Sequence, residues 1–98
     1  MTTDHSLDDE VLRLRTDGKS FATIARALDF ERARDANAAF NRALRRRPES
    51  EQVALRRNEQ DRLDRLAEVV KADEALGADV RARRLLAVDK LRAKLLAD

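Results

Sequence analysis

The chain has 98 residues, of which 41% are charged and 3% aromatic, with three Phe, no Trp, Tyr or Cys, and a net charge of +2. The lack of Cys excludes disulfides, thiolate zinc sites and thiol nucleophiles. No apolar run approaches the roughly 20 residues that span a bilayer, and no signal-peptide core follows Met1.

A chain of this size buries only about 60 to 65% of its unfolded surface, enough for one domain or a small head with an extension. Ala, Leu and Arg dominate and β-branched residues are few, so an all-α fold is expected. A cytoplasmic protein is the simplest expectation, bacterial and associated with the nucleoid if it binds DNA. The charge is unevenly placed. Residues 1 to 29 carry four basic and six acidic side chains, residues 30 to 47 six and two, and residues 48 to 98 eleven of each. The positive excess therefore lies between Phe30 and Arg47.

In chain order, Met1 to His5 is a polar start, and His5, the single histidine, has no carboxylate or second histidine at ligand spacing. Ser6 can cap a first helix, with Asp9 at capping-box spacing and Leu7, Val11, Leu12 and Leu14 on its apolar side; it should stop near Gly18. Ser20 caps a second helix, Phe21 to Leu28, with Phe21, Ile24, Ala25 and Leu28 at helical spacing. Asp29 and Phe30 interrupt it. A third helix starts within Glu31 to Asp35 and runs through Arg47, where Pro48 blocks continuation.

Pro48 is placed as the first residue of a long helix that meets no breaker before Gly77, roughly 43 Å at 1.5 Å per residue. Gly77 should end it and Asp79 cap a last helix, Val80 to Ala97. The pair should fold back as an antiparallel, coiled-coil-like hairpin spanning 48 to 98, behind a three-helix head spanning 1 to 47. At 100° per residue the apolar positions spread over about 180° on the first arm and about 240° on the second, wider than the about 100° one partner helix covers. A homodimer seam through Leu63, Leu66, Val70, Leu85, Val88, Leu91 and Leu95 is the expected use of the surplus. Arg81, Arg84 and Arg92 fall inside the wider arc and could line part of it with their stems.

The second and third helices have the layout of a helix-turn-helix. Ala25 supplies the small residue where the helices cross, and Ala36, Ala39, Phe40, Ala43 and Leu44 share one arc of about 140°. The opposite arc holds Arg34, Ala38, Asn41 and Arg45, with Asn37 at its border. Asn can pair with adenine edges and Arg with guanine edges, so Arg34, Asn37, Asn41 and Arg45 are the expected base-reading residues. Lys19, Arg32, Arg42, Arg46 and Arg47 lie where they would neutralise phosphates. Asp29 stands where this motif commonly has Gly, and the link to the third helix is one residue longer than its tightest form. No phosphate loop, metal cluster or base-activated nucleophile is present, so no enzyme, metal or cofactor is expected.

The segment GKSFATIARALDF followed by RARDANAAFNRALRRRP resembles small bacterial and phage helix-turn-helix proteins, including the phage terminase small-subunit-like group. EQDRLDRLAEVV and LRAKLLAD are similar to the dimerising helical part of that group. The resemblance implies a head that binds double-stranded DNA on an oligomerising helical segment, with Arg34, Asn37, Asn41 and Arg45 at the reading face. The alternative is a helical module that binds a protein partner through the hairpin.

Overall fold

The computed structural model describes residues 5–97, and within them the chain is all-helical, with no strand. Five helices follow in order: α1 (Ser6–Thr16), α2 (Phe21–Ala27), α3 (Ala33–Arg45), α4 (Glu49–Ala72) and α5 (Ala78–Leu96). No described helix is long and apolar enough to cross a membrane. The chain divides into two compact units between Gln52 and Val53. The first turn of α4 belongs to the head, where the Gln52 side-chain amide donates to the carbonyls of Arg45 (3.2 Å), the last residue of α3, and of Arg47 (2.7 Å) in the turn that follows.

In the first unit, α1 and α2 pack on α3. His5, one residue before the expected Ser6, occupies the cap of α1 and makes no side-chain cap bond. At the other end Gly18, at φ 100°, lets its N–H reach Arg15 O and the Lys19 N–H reach Leu14 O. These two bonds form a Schellman closure, and glycine is needed there for its positive φ.

The Ser20 hydroxyl accepts from the Thr23 N–H at 3.1 Å and starts α2, as the sequence predicts. After Leu28, Asp29 takes φ 62° and the Phe30 N–H returns to Ala25 O at 2.8 Å. An aspartate thus fills the left-handed position that glycine fills at lower cost. Asp29→Gly is expected to stabilise the head by about 0.5 to 1 kcal/mol, raising the melting temperature by roughly 2 to 8 °C. An unchanged or lowered melting temperature would show that Asp29 carries no strain.

α3 begins after Arg32, whose N–H donates to the Asp35 carboxylate at 3.2 Å. Asp35 is therefore a start signal for this helix. The helix ends at Arg45, so Arg46 and Arg47 lie in the turn beyond it and not on its last turn as expected.

α4 begins at Glu49 in the first unit and stops at Ala72 in the second, short of Gly77. The Asp73 side chain accepts from the Ala75 N–H at 3.0 Å, an Asx turn that diverts the backbone. Gly77 is instead the cap of α5, at φ −65°, and Asp79 sits inside its first turn. The Arg81 Nη2 donates to Asp73 O (2.7 Å) and Leu76 O (3.2 Å), closing this turn from the start of α5. Farther along, Arg92 pairs with Asp64 (2.7 Å) and the Arg56 Nε donates to Leu95 O (3.4 Å). Leu63, Ala67, Val70, Val88 and Leu95 are buried. Arg81 and Arg92 are half-buried and Arg84 is exposed; the Arg81 Nη2 reaches backbone carbonyls while its Nε is buried without a hydrogen-bond partner, so its head is not held in water as snorkelling would have it.

Candidate nucleic-acid interface

α3 is amphipathic because Ala36, Ala39, Phe40, Ala43 and Leu44 recur on one side, and all five are at most 3% exposed. The Phe40 ring meets Phe21 edge-on, with centroids 5.6 Å apart and planes at 66°. The Arg15 guanidinium lies 3.9 Å from the centre of the Phe21 ring, and its Nη1 donates to Lys19 O at 3.0 Å. These contacts fix the roll of α3 and hence which side it turns to solvent.

Arg34, Ala38, Arg42 and Arg45 are exposed. At 100° per residue they fall within an arc of about 80° that holds no carboxylate.

Asn37 and Asn41 are not part of that surface. Each is only 4% exposed, and the Asn41 Nδ2 donates to Asn37 O (3.2 Å) and to Asn37 Oδ1 (3.3 Å). The covered arc of α3 is about 200° wide, not 140°, and it takes in Asn37, which the helical wheel put at the border, and Asn41, which it put inside the reading arc. An amide that partners another one turn away can be buried at modest cost. As the chain stands, neither reaches a base edge.

The phosphate candidates divide into two groups. Lys19 and Arg32 are exposed, as is Arg34 of the base-reading set, and the side chains of Lys19 and Arg34 make no hydrogen bond or ion pair among the described residues. The others are engaged. Arg42 forms a two-pronged bridge to Asp8, Nε to Oδ2 at 3.0 Å and Nη2 to Oδ1 at 3.1 Å. Arg46 reaches the same carboxylate from Nη1 at 3.3 Å, with Asp9 3.6 Å from Nη2. Arg47 pairs with Glu51 at 2.7 Å.

The hydrogen bond from Arg42, aided by Arg46, holds the Asp8 carboxyl below its ordinary pKa of 3.8 and raises that of Arg42. A carboxyl with a depressed folded-state pKa stabilises the fold above the ordinary carboxylate range. That stabilisation is lost as pH falls through the lowered value. Asp8 is the residue of this site that sequence reasoning missed; its partners lie 34 and 38 residues away, and no local pattern links them.

The expected dimer seam is also changed. Leu63, Val70, Val88 and Leu95 are buried within the chain itself, Leu85 and Leu91 are half-buried, and of the seven only Leu66, at 44%, is exposed. No group of three or more His, Cys, Asp or Glu able to hold a metal occurs among the described residues. Comparison of the chain with protein-family models, curated proteins and solved structures finds no match.

Proposed function

We propose that this chain is a non-enzymatic, sequence-specific DNA-binding protein whose α2 and α3 act as a helix-turn-helix, serving as a transcriptional regulator or phage-type DNA-recognition factor. The observation that carries this reading is the exposed arc of α3: Arg34, Ala38, Arg42 and Arg45, with no acidic residue of the helix among them and Asp8 of α1 bridged to Arg42 at its edge, on a helix whose other side is core. Such a face offers guanidinium forks to guanine edges and a methyl group to thymine. Arg34 and Arg45 are assigned the base contacts, Ala38 an apolar one, and Lys19, Arg32 and Arg47 backbone phosphates. The small, buried Ala25 and the Ser20 cap fit the crossing helix that such a reader requires. Selection of duplexes from a random pool by the full chain tests the reading. Enrichment of a short common sequence is the expected result, and recovery of an unenriched pool would contradict specificity.

The second unit is assigned the role of an antiparallel hairpin that joins two copies, because Leu66, Val69 and Leu86 remain 44%, 65% and 54% exposed on it. A dimer would set the spacing of two reading faces along the duplex. The double variant Leu66→Glu, Val69→Glu is expected to sediment as a monomer with unchanged helix content, since neither side chain supports the single chain's core. A wild-type chain that is already monomeric would contradict the dimer and favour a protein partner for this surface.

A further inference from the structure

The Asp8 carboxylate occupies a position that an incoming anion would want. Its two oxygens receive three guanidinium N–H groups, two from Arg42 in a fork at 3.0 and 3.1 Å and one from Arg46 at 3.3 Å. The two non-bridging oxygens of a phosphodiester can take the same fork. We propose that Arg42 and Arg46 form a seat for a DNA backbone phosphate that Asp8 fills in the free chain, so that Asp8 and the duplex compete for the same two arginines. This rests on the reading of α3 as a DNA-binding helix.

Three observations favour a replaceable occupant over a simple tie between helices. The Arg42 side chain is 53% exposed while that of Asp8 is 13% exposed, so the guanidinium can be approached from solvent with the carboxylate behind it. Arg42 stands at the edge of the exposed arc of α3, next to the residues assigned to bases. α1 already packs on α3, with Val11 fully buried, so the ion pairs are not what first brings the helices together. Asp8, Asp9, Arg42 and Arg46 together carry no net charge, which hides two cations until the seat is exchanged. Binding then requires a phosphate placed well enough to displace a two-pronged carboxylate, a test that loose contact with the duplex fails.

The experiment measures duplex affinity across a salt series for the wild-type chain, D8N and E10Q. Both substitutions add one positive charge to α1, but Glu10 pairs with Arg13 and leaves the α3 arginines alone. D8N is expected to bind about three- to tenfold tighter than wild type, and to steepen the slope of log affinity against log salt by about 1 to 2. E10Q should gain less than about twofold. With Arg42 and Arg46 both changed to Ala, the D8N gain should shrink to that of E10Q.

Equal effects of D8N and E10Q would overturn the competition while leaving DNA binding intact; absence of binding by every variant would overturn both. Should D8N fold poorly, the wild-type chain tests the same point by NMR. The Arg42 Nε–H and Asp8 carboxyl resonances should move together on adding duplex, and no movement of either at saturation would overturn the proposal.

Discussion

Phe40→Ala is expected to unfold the head. Phe40 is 3% exposed on the central helix of a unit that holds only the first half of the chain, and its ring meets Phe21, whose other neighbour is the Arg15 guanidinium. Removing a buried Phe costs about 3 to 5 kcal/mol through lost transfer energy and the cavity left behind. That is a large share of the total stability of about 5 to 15 kcal/mol typical of a domain. Alanines at positions 36, 39 and 43 flank Phe40 and cannot reach into the space. Thermal melts followed by circular dichroism, with amide dispersion of α1 to α3 read by NMR, check this. The melting transition of the head should fall by at least roughly 12 °C or disappear. A shift under about 5 °C would mean that the head does not depend on this ring.

The second large effect concerns recognition. Arg34→Ala and Arg45→Ala are each expected to lower preference for the selected duplex by about 1 to 3 kcal/mol, the contribution of one good bidentate base contact. Binding to unrelated duplexes should fall much less. Asn37→Ala and Asn41→Ala should do the reverse. They remove a buried amide pair, so they should lower the melting temperature by the equivalent of about 1 to 3 kcal/mol and leave sequence preference unchanged among molecules that remain folded. Competition binding with selected and scrambled duplexes separates the two classes. A change of preference from Asn41→Ala with none from Arg45→Ala would reverse the assignment of the face.

The burial of those asparagines shows where the sequence stopped being informative. Periodicity located every helix, because Phe21, Ile24 and Ala25 on α2 and the Ala36 to Leu44 series on α3 lie where 3.6-residue spacing puts them. A helical wheel gives the direction of a face but not the width of what covers it, so Asn37 at the border and Asn41 within the outward arc were both assigned to the wrong side. The ends of helices moved for local chemical reasons. Asp73 accepts from the Ala75 N–H and stops α4 before Gly77, and Asp35 accepts from the Arg32 N–H and starts α3. Both are side chains competing for backbone donors, a contest that periodicity does not register.

The doubt over Asp29 was legible, since an L residue was plainly asked to do a glycine's work, and it does so at φ 62°. The link between Asp8 and Arg42 was not legible, because a pair 34 residues apart becomes a contact only once α1 lies on α3. On the hairpin, counting apolar residues overstated what was left for a second chain. Leu63, Val70, Val88 and Leu95 are already covered, and the large apolar side chains left exposed there are Val53, Leu66, Val69, Leu86 and Leu96.

The central claim is that the exposed arginines around α3 bind duplex DNA. Fluorescence anisotropy of a labelled duplex titrated with the full chain, from about 50 mM to 200 mM salt, tests it most directly. Three to five phosphate contacts per chain predict a slope of log affinity against log salt of about −3 to −4.5. No binding at the lowest salt, or an affinity that does not change with salt, would contradict it.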